Sequence, residues 1–394
     1  MSAALRRAHG SDPGAMVSIV SSAADDLGAT DVVVYLIDFS QTTLEPLPDR
    51  ALHADLPASE TVAGSMAGRA FSDQRTVHAE RDDGVRVWVP VIEGSDRTGV
   101  VALTLPTADD GTLAACEDLG LLAGYLIAAQ ARCTDLYNLY RRRRHLSLAA
   151  SMQWDLLPPL VLKTDSVTVA GLIEPAYDVG GDCFDYAANG RFFDFAIMDA
   201  MGHGTRSALL SALAMGAYRH DRREARSLVA MHESLATTMS RAHDDPAFVT
   251  GQLARIDTST GEVAWTNAGH PLPLLIRGGR VTGELACKPS PPWGLGTGFG
   301  PPTVATEALE PGDAVLLYTD GVTEARTPEG DLFGVDRLVD IAQNNASDLI
   351  HPEEIVRRLV WAVLEHQRAD LRDDATVVLV RWAGPVSAWR EPIS

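Results

Sequence analysis

The chain has 394 residues, a formal net charge of −20 at pH 7, 46% hydrophobic residues and 22% charged residues. This length exceeds one ordinary domain, so two to three domains are expected, each with a sizeable apolar core. The strongly negative charge argues against nucleic-acid backbone binding as the main activity.

The cysteines and apolar runs indicate the compartment. Four cysteines lie far apart without a CxxC pair, which indicates neither a zinc site nor a disulfide framework. The most apolar run, residues 119–129, is shorter than the roughly 20 residues that cross a bilayer. Since the N-terminus also lacks the apolar core of a signal peptide, we expect a cytoplasmic protein with no membrane span.

The first part of the chain predicts a disordered start and a small α/β domain. Residues 1–12 are polar and expected to be disordered, and residues 13–112 are expected to form one domain. Apolar spacing predicts a helix over residues 15–27 and strands over residues 32–37, 76–78, 85–92 and 99–105, with a turn at residues 93–96.

Residues 113–152 predict one long linker helix without proline. Its apolar positions step by three and four, which suits a parallel two-stranded coiled coil and therefore a homodimer. The next core position falls on Arg143, and the apolar phase resumes at Leu139 and Leu146, a shift of the stutter kind. Residues 141–144 are then either a solvated face at the helix end or a weak point where a sensor rotates the helix.

Residues 153–384 predict an α+β domain, and residues 385–394 a disordered tail. Strands are expected over residues 167–172, 192–198, 248–256, 262–266, 272–276, 303–308, 313–319 and 375–382, and helices over residues 205–219, 223–242, 335–343 and 352–366. A short turn joins the third and fourth of these strands, so part of the sheet is antiparallel. Strands that follow strands, with helices grouped between, argue against a doubly wound nucleotide fold.

Acidic residues stand at the ends of several of these strands. Asp199 follows an apolar strand and precedes a glycine-rich turn, and Asp320 and Asp373 repeat the arrangement. A buried carboxylate needs a cation, hydrogen bonds or a shifted pKa to compensate its charge. Several Asp without His or Cys ligand spacing indicate a hard cation such as Mg²⁺ or Mn²⁺.

The order of the polar motifs resembles the metal-dependent protein phosphatase (PPM) family, in its bacterial SpoIIE/RsbU-like branch. The resemblance covers about residues 153–382, more than half the chain. The matching segments are Gly180-Gly181-Asp182, residues 199–204, Phe248-Val249-Thr250, Asn267-Ala268-Gly269-His270, residues 318–325, Phe333-Gly334 and Asp373-Asp374-Ala375-Thr376.

The resemblance implies a four-layer αββα sandwich, two stacked antiparallel sheets flanked by helices, around two Mn²⁺ or Mg²⁺ ions, or three. Asp199 would bridge two ions, and the carbonyl of Ala200 would bind one of them. Asp320 and Asp373 would complete the other, and Asp182 would contact an ion directly or through water. For each Asp the alternative is a residue that caps a turn at a strand end.

The neighbouring residues leave further alternatives open. Asp374 competes with Asp373 for the ligand role, Asp185 is expected to support a ligand, and Asp178 to be a loop residue. His203 is either the general acid for the leaving serine oxygen or, as we favour, a structural residue of its turn.

The other polar motif residues are expected to support the site. Thr250 and Asn267 would form hydrogen bonds behind the ligands, and His270 would shape the adjacent turn. Since no lysine-bearing P-loop is present, ATP use is not expected.

The N-terminal domain resembles a GAF sensory domain. The similarity rests on residues 64–71, 89–91 and 98–103, and a PAS-like domain is the alternative. Its signal would be a small molecule or a protein.

The sequence therefore predicts a metal-dependent serine/threonine protein phosphatase regulated by its N-terminal domain. By resemblance, the substrate is a phosphorylated anti-anti-sigma (STAS-type) protein in bacterial sigma-factor and stress signalling. The alternatives are a catalytically silent module that binds a partner through the same fold, and a metal-dependent phosphodiesterase that acts on a small molecule.

Overall fold

The structure is a computed structural model that describes residues 2–48, 56–174, 177, 180–242, 247–296, 300–345, 351–368 and 374–385. Two compact units, Met1–His145 and Leu146–Ser394, make up the chain. Apart from Pro385, the predicted disordered tail lies outside the described residues.

The first unit is built around one antiparallel sheet. Its elements are α1 Ser2–Ala8, α2 Met16–Asp25, β1 Thr30–Ile37, β2 Thr43–Pro46, β3 Glu60–Thr61, α3 Met66–Asp73, β4 Val77–Arg81, β5 Gly84–Glu93, β6 Asp96–Leu105, α4 Asp110–Gln130 and α5 Leu136–Tyr140. The strand order is β3-β2-β1-β6-β5-β4. Glu93 pairs with Asp96 across the β5–β6 turn, where Gly94 has a φ of 62°, so the predicted turn is confirmed.

The prediction of a disordered N-terminus is wrong. Residues 2–8 form α1, and Ala4 is buried in an apolar cluster that also contains Met16 and Val20 of α2. Three of the seven residues of α1 are alanine, which favours helix. Packing against α2 stabilises the helix further, and the polar residues of the segment gave no sign of this packing.

The prediction of one continuous helix over residues 113–152 is also wrong. The chain leaves α4 at Gln130, passes through a short 3₁₀ turn and becomes extended at Thr134. Leu119, Leu122 and Leu126 lie in the apolar core of the first unit. A Cβ on Gly124 would come within 2.1 Å of the Ile92 carbonyl oxygen, so α4 lies directly on the sheet.

The first part of the seam that predicted a homodimer, Leu119 to Leu126, is therefore buried within this unit. A core helix and a coiled-coil helix share the same three-and-four spacing, and here the spacing reflects packing on the unit's own sheet. By length and composition, the helical stretch Asp110–Cys133 is the one in the described part of the chain that could cross a membrane. A buried core helix meets the same criterion.

The arginine run is neither a fully solvated face nor part of a long helix. Arg141 donates from Nε to the Ile37 carbonyl at 2.8 Å, and its guanidinium lies over the Phe39 ring. Arg143 pairs with Glu45 at 3.2 Å. These contacts hold the end of the first unit's chain against its own β1 and β2 region.

The second unit contains two antiparallel sheets and six helices among its described residues. Its elements are α6 Leu148–Leu156, β7 Val161–Lys163, β8 Val167–Glu174, β9 Asp182–Asn189, β10 Phe192–Ala200, α7 Thr205–Arg223, α8 Leu228–Ala242, β11 Val249–Asp257, β12 Glu262–Ala268, β13 Leu274–Arg277, β14 Arg280–Glu284, β15 Ala305–Ala308, β16 Ala314–Tyr318, α9 Asp320–Thr323, α10 Gly334–Asn345, α11 Pro352–His366 and β17 Ala375–Trp382. The strand orders are β15-β12-β11-β10-β9 and β14-β13-β16-β17-β8-β7. The predicted antiparallel pairing is confirmed.

Alternation along β10 shows how the layers are built. Phe193, Phe195 and Ile197 enter a core shared by both sheets, α10 and α11, whereas Ala196 and Met198 enter a second core with α7 and α8. A strand buried on both faces reads as a continuous apolar run.

The two sheets approach each other closely at a glycine of β8. A Cβ on Gly171 of β8 would lie 2.4 Å from the ring of Phe184 on β9. Glycine is therefore required where the aromatic ring of one sheet meets the backbone of the other.

We predict that Gly171→Ala lowers the free energy of unfolding by about 1–3 kcal/mol, because the added methyl overlaps the Phe184 ring. Urea denaturation measures the change. Gly216→Ala is the control, since that exposed helical glycine has nothing within 4 Å, and it should be neutral or stabilise by up to about 1 kcal/mol. Phe184→Leu should partly relieve the Gly171→Ala cost; strictly additive losses would contradict the contact.

Candidate functional site

Asp182 and Asp199 lie directly opposite each other on β9 and β10. Residues paired across antiparallel strands lie on the same face of the sheet. Phe184 is two residues after Asp182 on β9, Ile197 is two residues before Asp199 on β10, and both lie in the core between the sheets. The two carboxylates therefore stand at one edge of the five-stranded sheet, on its inner face. Ala200 is buried beside them, and its N–H donates to the Gly181 carbonyl at 3.1 Å.

Negative charge is concentrated at this edge. Asp182 is only 2% exposed, and burial raises the pKa of its carboxyl well above the usual value. The neighbouring carboxylates of Asp199 and Asp374 raise that pKa further. Buried like charges of this kind call for a cation, and an all-oxygen donor set fits Mg²⁺ or Mn²⁺.

The second sheet contributes hydroxyl groups to the same edge. Thr319 and Thr376 donate to Oδ2 of Asp182 at 2.7 and 2.6 Å, and these bonds act against the rise in its pKa. Asp374 accepts at its Oδ2 from the N–H groups of Gly181 and Asp182, at 2.7 and 3.2 Å. Asp374 thus holds the turn that leads into β9, a role that the sequence interpretation missed.

Asp320 begins α9 directly after β16. A Cβ on Gly321 would come within 1.9 Å of the Asp374 carbonyl oxygen, so the Asp320 turn packs closely on the start of β17. Asp373 lies outside the described residues. Within the described ranges no three His, Cys, Asp or Glu side chains lie close enough together to ligate one ion. The complete ligand set stays a prediction.

Two helices hold the glycine turn before Asp182. Gln153 of α6 donates from Nε2 to the Asp182 carbonyl at 2.7 Å. On α7, Ser207 bonds to the Gly180 carbonyl and Ser211 to the Gly181 carbonyl. Ser207 and Ser211 lie one helical turn apart, and they are polar residues in the apolar segment 207–217 of α7, which could have marked them in the sequence.

Asp185 forms ion pairs with two arginines. Its oxygens accept from Arg219 at 2.9 and 3.0 Å and from Arg222 at 2.8 Å, and Arg219 also donates to the Leu156 carbonyl at 2.7 Å. This buried group joins α6, α7 and β9. Asp178 lies outside the described residues.

His203 is exposed on the turn that precedes α7. The turn is shaped by Gly202 and Gly204, whose φ values of 90° and 77° favour glycine. The general-acid role of His203 stays a prediction.

A buried hydrogen-bond network stands behind Asp199. Thr250 pairs with Asp199 across β10 and β11, and its hydroxyl lies 2.9 Å from Nδ1 of His270. Asn267 brackets His270 by accepting from its N–H and donating to its carbonyl, both at 2.8 Å. Burial lowers the pKa of His270 to about 3, despite an opposing backbone hydrogen bond at Tyr318, so the imidazole is neutral.

We predict that His270 makes unfolding pH-dependent. Its pKa is about 3 when folded and about 6.5 when unfolded. The unfolded state therefore binds the extra proton, and stability falls as pH drops below about 6.5. Relative to His270→Gln, the wild type should lose up to about 2 kcal/mol of unfolding free energy between pH 7 and pH 5.

Urea denaturation without metal measures this difference. His220→Gln, at an exposed position of α7, is the control for the loss of a histidine. An offset for His270→Gln that does not change with pH would contradict the neutral buried imidazole.

Comparison with known proteins reveals relatives of this unit. Residues 190–383 match the family described as Stage II sporulation protein E (SpoIIE), a match that begins after Asp182. Phosphoserine phosphatase RsbU of Bacillus subtilis (strain 168) is 24% identical over 267 residues, which cover 66% of this chain and 77% of RsbU. Phosphoserine phosphatase RsbP of the same organism is 27% identical over 234 residues, 58% of this chain and 56% of RsbP.

A solved structure shares the fold. The SiaA-PP2C domain of Pseudomonas aeruginosa superposes with a TM-score of 0.50 at 22% identity, covering 65% of this chain and 99% of that domain. The second unit is therefore similar to SpoIIE-family proteins over residues 190–383 and shares the fold of a PP2C domain.

Proposed function

We propose that the second unit is an active serine/threonine protein phosphatase that depends on Mn²⁺ or Mg²⁺. The observation that carries the proposal is the pair Asp182 and Asp199, opposite in register at a sheet edge, with Asp374 adding negative charge. The relatives named phosphoserine phosphatases support a phosphoserine substrate.

In this proposal Asp199 would hold both ions, with the Ala200 carbonyl as a further ligand for one of them. Asp320 and Asp373 would hold the other ion, and Asp182 would bind directly or through water. A pair of such ions, when bound, acidifies a water molecule and neutralises the charge of a phosphoryl group. A third ion is compatible with the proposal.

Other side chains of the second unit would position the metal ligands and supply a proton. Thr250 and neutral His270 fix the strand that carries Asp199, and Asp374 fixes the turn that carries Asp182. His203 stands exposed on the neighbouring turn, where its imidazole could give a proton to the leaving serine oxygen.

We further propose that the second unit is a four-layer αββα sandwich and that the first is a GAF-like sensor. Shared cores of α7 and α8 with one sheet, and of α10 and α11 with the other, support the layers. For the sensor, the support is a six-stranded antiparallel sheet, with α3 formed from the segment that carries the GAF resemblance.

The proposed biological substrate is a phosphorylated STAS-type anti-anti-sigma protein in a cytoplasmic stress-signalling pathway. A small molecule or protein bound by the first unit would control its dephosphorylation. The similarity to RsbU and RsbP supports this proposal.

We predict that Asp199→Asn and Asp320→Asn each lower Mn²⁺-dependent hydrolysis on the order of 100-fold or more, since each removes a negatively charged ligand of the two metal ions. Turnover of p-nitrophenyl phosphate and of a phosphoserine peptide measures the loss. Asp336→Asn, at an exposed site on α10, is the control. Wild-type turnover in either site variant, with an unchanged circular dichroism spectrum, would falsify the metal assignment.

We predict that removing the first unit changes the rate of hydrolysis or its response to signal. The deletion should end at His145, because a cut after residue 112 would leave the buried face of α4 without its sheet. Rates for residues 146–394 and for the full chain are compared at equal Mn²⁺. Identical rates under all conditions would contradict regulation by the first unit.

A further inference from the structure

Two threonines of one sheet converge on a single carboxylate oxygen of the other. Thr319 follows β16 and Thr376 lies in β17, and both are 0% exposed. Their hydroxyls lie 2.7 and 2.6 Å from the same atom, Oδ2 of Asp182. These are typical distances for O–H···O hydrogen bonds.

The direction of these bonds follows from the neighbouring backbone. The N–H of Thr376 donates to the Thr319 hydroxyl oxygen at 3.0 Å, and the N–H of Thr319 donates to the Thr376 carbonyl at 3.1 Å. Thr319 therefore has its single hydroxyl hydrogen left to donate. Asp182 is the nearer acceptor, since the Asp374 carbonyl lies 3.5 Å away.

The backbone of Asp182 is fixed as well. Its N–H donates to Asp374 and its carbonyl accepts from Gln153, at 3.2 and 2.7 Å. With the main chain held on both sides and Oδ2 holding two hydroxyls, the carboxylate has one orientation. Oδ1 is then the oxygen that a cation can use.

We propose that Thr319 and Thr376 are positioning residues that turn Asp182 so that Oδ1 faces the cation, which it binds directly or through water. The inference rests on the proposed phosphatase function, because the cation is the one of that site. Neither threonine contacts the substrate or the reacting atoms. Both act through Asp182.

The test is calorimetric titration of Mn²⁺ into the full chain without substrate. Thr319→Val and Thr376→Val keep the shape and remove the hydroxyl, and each should weaken Mn²⁺ binding about 10- to 100-fold. Thr319→Ser and Thr376→Ser keep the hydroxyl and should stay within about threefold of the wild type. Thr266→Val is the control, since Thr266 is equally buried and its hydroxyl lies 3.1 Å from Nδ1 of His232.

A double-mutant cycle separates positioning from general destabilisation. In an Asp182→Asn background, Thr376→Val should cost no further Mn²⁺ affinity, because the carboxylate it orients is gone. An equal loss in both backgrounds overturns the proposal, as do serine variants that bind as weakly as the valine variants. If a valine variant does not fold, as judged by circular dichroism, alanine replaces valine with the same expected loss.

The outcomes also distinguish this inference from the function beneath it. A wild type that binds no Mn²⁺ overturns the phosphatase proposal and the positioning role together. A wild type that binds Mn²⁺ and hydrolyses phosphoserine, with valine variants of unchanged affinity, overturns only the role of the threonines.

Discussion

Burial of the Asp182 carboxylate between two sheets is the constraint on which the second unit depends. Ionised oxygen in an apolar interior is costly unless hydrogen bonds or counter-charges surround it. Here the opposite sheet supplies hydroxyls and Asp374 holds the glycine turn before β9, whereas Asp199 faces Asp182 across the strand pair and adds a like charge. The packing of the two sheets therefore also determines the geometry of the site.

Arginine and hydroxyl groups compensate different buried acids of this unit. Asp185, Asp194 and Asp313 each pair with arginine, at 2.8–2.9, 2.6 and 2.6 Å. These pairs join β9 to α7, β10 to β11, and the residue before β16 to β13. Asp182 receives neutral hydroxyls instead, which orient the carboxylate without cancelling its charge. A carboxylate treated in this way retains the capacity to attract a cation, whereas an arginine-paired one has lost most of it.

Much of the second unit could be predicted from the sequence, because its strands alternate between two cores and its acidic strand ends are followed by glycine. The strand over residues 375–382 and the helix over residues 352–366 were located to the residue. Strand β9 was not recognised, since its acidic start lacks the usual strand composition. The supporting roles of Gln153 and Asp374 arise from contacts with residues 29 and 193 positions away, which no local pattern contains.

The prediction of one long linker helix over residues 113–152 was wrong for a different reason. Periodic apolar residues indicate which face of a helix is buried, but not whether that face packs on another chain or on a sheet of the same chain. Gly120 and Gly124 were the available signal, because small residues on the buried face permit the close approach of α4 to β5.

The threonine contacts also bear on when the site can form during synthesis. Thr319 and Thr376 lie 137 and 194 residues from Asp182 along the chain. Nascent polypeptide that has not yet brought its final strand into the sheet lacks the groups that orient this carboxylate, so metal loading should follow folding rather than guide it.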